Sequence, residues 1–207
     1  MKKILMTLII LCFLTTMSYT QTIIGLKMGL NFSNLYGNDI SNSKILTGVS
    51  AGAFLSYKFS DIFDIQPEVY FSRKGAKEKG VTDTETFDYE FALDYIEIPL
   101  LLKFSLPIQG LKIRPIIFGG PAISFNTNAK ISREINGYAY DVNYDYIKST
   151  EFSFVLGAGI SFPTKHYDWG FDIRYILGLT KIDDSGDNAD TKNKVIILNA
   201  FFGTSLF

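Results

Sequence analysis

Bulky apolar residues recur at every second position along most of this chain. Ile24, Leu26, Met28, Leu30 and Phe32 are separated by Gly25, Lys27, Gly29, Asn31 and Ser33, which are small or polar. Period two is the signature of a strand with two unlike faces, because successive side chains leave a pleated strand on opposite sides. The same alternation sets Val49, Ala51, Ala53, Leu55, Tyr57 and Phe59 against Ser50, Gly52, Phe54, Ser56 and Lys58. It recurs from Phe63 to Ser72, Tyr95 to Phe104, Leu111 to Phe118, Phe152 to Phe162 and Trp169 to Thr180. The stretch Val195–Phe207 is apolar on both parities, and Ile196, Leu198, Ala200 and Phe202 are expected to share the bulky face. The pattern therefore predicts eight strands.

The links between them alternate in length. Residues 60–62, 106–110 and 163–168 are brief, whereas about 36–46, 75–92, 126–151 and 183–193 are long and polar. An up-and-down meander puts all short links at one end and all long ones at the other, as in outer-membrane barrels. Volume decides which face is wet. Eight strands enclose a space that modest side chains fill, so the Gly- and Ser-rich set belongs inside and the Phe, Ile and Leu set outside, against lipid. From Phe152 to Phe162 the bulky set rises about 25 Å at ~3.3 Å per residue and a tilt near 40°, the height of a lipid-facing belt. Aromatics mark its ends: Tyr57, Phe59, Phe63, Phe104, Phe162 and Trp169 by the short turns, and Phe32, Phe71, Phe125 and Phe152 by the long loops. The expected fold is all-β, an eight-stranded antiparallel up-and-down transmembrane β-barrel.

Composition adds location. Met1-Lys2-Lys3, the apolar run Ile4–Leu14 and small residues near Thr20 have the form of a signal peptide over residues 1–20, leaving 21–207 as the barrel domain. Cys12 lies inside that segment, so the remainder has no thiol for a disulfide, a nucleophile or a metal. The whole chain carries 20 basic and 21 acidic residues, a balance that argues against a nucleic-acid partner held through phosphates. Lipid of the outer membrane is the expected surrounding, and the long loops are the expected contact for an envelope protein or surface ligand.

Gly25-Leu26-Lys27-Met28-Gly29-Leu30-Asn31-Phe32-Ser33-Asn34-Leu35 resembles the opening of the PorT-type outer-membrane β-barrel family, often called porin-like. Similar runs follow at Gln66–Ser72 with Lys74-Gly75-Ala76, at Tyr95–Lys103, at Gly119-Gly120-Pro121, at Phe154–Gly159 and at Asp172–Tyr175. The resemblance spans almost the whole chain after residue 20, in order. It implies an integral barrel of a Gram-negative envelope. It implies no catalytic motif, cofactor or metal, and the type member's link to protein secretion is not carried over.

Chemistry is sought on the inward set. Lys27, Asp64, Glu68, Glu97, Lys103, Lys112, Arg114, Asp172 and Arg174 all have lumen parity. Two facing carboxylates would suit acid and base roles in glycoside hydrolysis. The expectation preferred here is a salt-bridged plug, because a lone charge in a narrow dry lumen is very costly. Glu97 is expected to pair with Arg114 or Arg174. His166 and Asp168 share a short turn, an unpromising place for a catalytic triad. The run Asp183–Asp190 is oxygen-rich but lacks the spacing of a calcium loop. Tyr138, Tyr140, Tyr144 and Tyr146 alternate, which suggests a hairpin above the membrane whose aromatics meet headgroups or a partner. The reading is a non-enzymatic barrel; a barrel enzyme acting on lipid or peptide, and a small-solute pore, are its rivals.

Overall fold

A computed structural model describes residues 22–37, 43–81, 86–108, 110–135, 138–143, 146–184 and 190–206. The expected signal peptide lies outside these. The strands are β1 (Thr22–Tyr36), β2 (Lys44–Lys58), β3 (Phe63–Val81), β4 (Thr86–Ser105), β5 (Arg114–Ile135), β6 (Tyr138–Asn143), β7 (Thr150–Pro163), β8 (Tyr167–Gly178) and β9 (Lys192–Ser205). All neighbours are antiparallel. β4 pairs with β5 and β9 pairs with β1, so β1 to β5 with β7, β8 and β9 close a ring of eight, and β6 adds to β5 outside it. Closure leaves no lipid-facing sheet edge, the condition for crossing hydrocarbon with strands.

Parity is as the alternation requires. Leu26 is 69% exposed and Met28 67%, whereas Asn31 and Ser33 on the opposite parity are fully buried. On β9 the even members Ile196, Leu198 and Phe202 face out, while Val195, Ile197 and Phe201 face in. At the turn end Phe63 stacks between Phe59 and Phe104 at 5.9 and 5.3 Å, and Phe162 lies on Trp169 at 4.4 Å. These rings form the girdle that anchors the barrel at the bilayer edge.

Lumen glycines make room for the few large rings inside. A Cβ on Gly25 or Gly203 would meet the ring of Phe54, and one on Gly157 the ring of Phe118. Phe54 and Phe201 meet edge to face at 6.2 Å and, with Phe118, Ile116 and Leu101, form an apolar layer near the turns.

Two expectations need correction. The segment 75–92 is not a loop: β3 and β4 stay paired from Phe63–Phe104 up to Val81–Thr86. Cross-strand ion pairs such as Lys77–Glu90 at 2.7 Å let a polar sequence stand as a hairpin in water. The hairpin that the alternate tyrosines suggested is present, with β5 running on to Ile135 and pairing with β6. At the other end, Leu111 and Ile113 precede β5, which begins at Arg114. The registers slip at Asp94–Tyr95, where Thr127 is the extra residue and its hydroxyl donates to the Asp94 carbonyl at 3.1 Å. A bulge of this kind re-aims a strand where the barrel ends. Gly75, at φ 136°, lies beside it, and a Cβ there would strike the Phe91 carbonyl.

Candidate functional site: a sealed lumen beneath an outer cup

Two ionic clusters fill the lumen. In the one nearer the turns, Arg174 on β8 grips Glu68 on β3 through Nη1–Oε2 at 2.8 Å and Nη2–Oε1 at 3.3 Å, and its Nε reaches Asp172 at 3.3 Å. Lys27 on β1 bridges Glu68 and Asp172, 3.0 Å from each. Lys103 reaches Asp64 at 3.3 Å and donates to Gln66 at 3.1 Å, while Gln66 donates to Glu68 at 2.7 Å. Asn199 donates to Asp172 at 2.8 Å and Ser56 to Asp64 at 3.0 Å. Three cations thus meet three carboxylates. Buried charges are tolerable on these terms, with partners and further hydrogen bonds. The cavity beside this cluster, between Lys27, Lys103 and Asp172, is only about 10 Å³. That is room for at most one water.

The second cluster lies toward the loops. Lys74 on β3 sits 3.0 Å from Glu97 and 3.7 Å from Glu151, all three fully buried. Asn193 donates to Glu151 at 2.9 Å, Ser124 to Glu97 at 3.3 Å, and the Lys74 ammonium lies 5.0 Å from the Tyr95 ring centroid. Here one cation faces two carboxylates. Tyr70 joins the clusters, donating to Glu97 at 3.4 Å beneath the Arg174 guanidinium.

Of the inward charges expected from sequence, Lys27, Asp64, Glu68, Lys103, Asp172 and Arg174 come together, and Glu97 belongs to the second cluster. Arg114 does not join either. It begins β5, ten positions from Ser124, the register partner of Glu97, which is about 33 Å along a strand. Lys112 is exposed in the turn before it. Lys74, Glu151 and Asn193 were missed. Their parity was the available signal, since Lys74 continues Glu68, Tyr70 and Ser72, and Glu151 precedes Ser153 and Val155. His166 is exposed in its turn, and the Asp168 carboxylate accepts from Ser161 at 2.7 Å. Of the acidic run, 185–189 lie outside the described residues, and Asp190 pairs with Lys192 at 3.2 Å.

Above the bulge, β3, β4, β5 and β6 continue past the belt as a four-stranded sheet. Its outer face is charged: Lys77 pairs with Glu90, Lys79 with Asp88 and Lys130 with Asp141. Outside the bilayer, Lys130 and then Ser132 hold the Asp141 carboxyl below its ordinary range by donating to it. Registers align two rows on the inner face: Ala76, Phe91, Ile131 and Val142, then Glu78, Tyr89, Arg133 and Tyr140. Tyr138, Tyr140 and Tyr146 are 71, 58 and 59% exposed; Tyr144 lies outside the described residues.

The inner face walls a cup of about 610 Å³. Its apolar lining is Leu35, Phe91, Ile131, Ile147 and Ile182, above buried Leu93 and Tyr95. Ser43, Glu78, Tyr89, Arg133, Asp183 and Thr191 also line it, as does Lys77, whose ammonium pairs with Glu90, and the Arg133 guanidinium lies 5.7 Å from the Tyr89 ring centroid. This volume lies within the range of small-molecule sites, and an apolar floor with a few convergent polar groups is their usual composition.

Residues 20–184 match the family model described as outer membrane protein beta-barrel domain. The curated proteins searched contain no match. Among solved structures, Neisserial surface protein A superposes with a TM-score of 0.52 at 13% identity, over 88% of this chain and 97% of its own. The attachment invasion locus protein Ail of Yersinia pestis, solved with the heparin analogue sucrose octasulfate, gives 0.44 at 15%, over 90% and 99%. The protease OmpT of Escherichia coli gives 0.34 at 8%, over 92% and 98%. The family match, the closed ring and the aromatic-edged apolar belt agree: this chain belongs to the outer membrane protein β-barrel domain family and resides in the outer membrane.

Proposed function

We propose that the protein is a non-enzymatic binding barrel of the PorT-like type, whose outer cup takes a small, largely apolar ligand from the cell exterior. The observation that carries this reading is the cup: a recess of about 610 Å³ with an apolar floor, opening above a lumen filled with ion pairs. The carboxylates that would serve an enzyme, Glu68, Glu97 and Glu151, are at most 5% exposed, each beside a cation. Substrate would have to displace the plug to reach them. The same plug supports binding over conduction. The PorT-like assignment rests on the runs at Gly25–Leu35, Gln66–Ala76 and Tyr95–Lys103.

The test is methyl NMR of the refolded protein in phospholipid nanodiscs, with isoleucine δ-methyls labelled. Apolar fragments should shift Ile131, Ile147 and Ile182 while leaving lipid-facing Ile173 and Ile196 unmoved. Shifts confined to the lipid-facing set, or turnover of a lipid or peptide abolished by Glu97→Gln, would overturn the reading.

A further inference from the structure

The cup carries two charges, Glu78 and Arg133, that no ion pair among the described residues neutralises. On the outer face of the extramembrane sheet, Lys77, Lys79 and Lys130 each find a carboxylate. On the inner face, Glu78 of β3 and Arg133 of β5 flank Tyr89 of β4 in one cross-strand row. Neither forms an ion pair among the described residues, and both line the cup. Two strand spacings separate them, about 10 Å. One row nearer the membrane, Ala76, Phe91 and Ile131 make the floor, and Leu35, Ile147 and Ile182 close its far side.

The geometry points to a short apolar peptide of about three residues as the occupant, lying across the sheet with its amino end at Glu78 and its carboxylate at Arg133. This rests on the cup being a binding site. Charge complementarity selects the class. A fatty anion would satisfy Arg133 and leave Glu78 unmet, and a neutral apolar molecule would leave both unmet. A zwitterion with its charges about 10 Å apart answers both, and three extended residues span about that distance. The Arg133 guanidinium lies 5.7 Å from the Tyr89 ring centroid, and its planar fork suits a carboxylate in bidentate fashion. Apolar side chains on the peptide then fall on the Phe91, Ile131 and Ile182 floor.

The experiment is isothermal titration of the full refolded chain in phospholipid nanodiscs, with folding of each variant checked by its compact band on unboiled gels. The probes are Leu-Phe-Leu with free ends, its N-acetyl form, its C-terminal amide, and sodium laurate. The free peptide should bind, and blocking either end should weaken it by about tenfold or more, the value of a charge-assisted hydrogen bond. In Arg133→Gln, acid and amide should bind alike; in Glu78→Gln, free and acetylated peptide should bind alike. Blocked peptides that bind as well as the free one, or laurate that binds more tightly than any peptide, would overturn the proposal. So would absence of peptide binding while apolar fragments still shift the Ile131, Ile147 and Ile182 methyls, a result that leaves the cup as a site for another ligand.

Discussion

Lys74 is the one cation paired with Glu97 and Glu151 among the described residues, and its removal is the sharpest test of the lumen plug. Lys74→Met keeps the stem's volume and deletes the charge. Glu97 and Glu151 would then face each other without a cation, and both Glu97 Oε1 and Glu151 Oε1 already lack a hydrogen-bond donor among the described residues. Leaving a buried charge unpaired costs on the order of 3–5 kcal/mol. For a chain of this size, ~1 kcal/mol moves a midpoint by about 2–4 °C, so a drop of roughly 6–20 °C is expected. The charge ratio makes a second, opposite forecast. Glu151→Gln leaves Lys74 and Glu97 balanced one to one, and Lys74→Met combined with Glu151→Gln should cost less than the sum of the single changes. The assay is the temperature at which the folded band disappears on unboiled gels, checked by urea unfolding in lipid vesicles. Equal, small shifts for Lys74→Met and for an exposed control such as Lys148→Met would refute the ionic-plug argument. Strict additivity of the double change would do the same.

Arg174→Met should also lower the urea midpoint, but by less than Lys74→Met, because Lys27 still bridges Glu68 and Asp172. Planar bilayers holding the purified protein should show no regular conductance steps of porin size, since the cluster beside Lys27 leaves only about 10 Å³. Fluorescence of Trp169, the only tryptophan, should be quenched by brominated phospholipids, because its ring faces out beside Phe162 in the turn-side girdle. Acidification tests the hairpin: Lys130 and Ser132 lower the Asp141 carboxyl, so that contribution is complete at neutral pH and is lost as pH falls through and below the usual carboxylate range. Proteolysis of β6 should accelerate there in the wild type and show less pH dependence in Asp141→Asn.

Alternation determined the number of barrel strands and, with the volume of the bulky set, which face meets lipid, because a side-chain period of two leaves one parity for each face. Leu26 against Lys27 and Ile196 against Ile197 are legible without coordinates for that reason. Partners across the lumen were not, because they depend on register and shear, which no single strand encodes. Arg114 has the parity of Glu97's neighbours yet sits about 33 Å along β5 from the level of Glu97, so Lys74 takes the place expected of it. Strand length beyond the bilayer was legible only at the alternate tyrosines from Tyr138, and not in β3 and β4. Residues 75–92 and 126–143 are polar enough for loops, and only pairing shows that Lys77 meets Glu90 and Lys130 meets Asp141 on one face. The cup exists because that sheet sets Phe91, Ile131 and Ile182 together from β4, β5 and the segment after β8. Those residues lie far apart along the chain, and closing the ring is what brings them to one mouth.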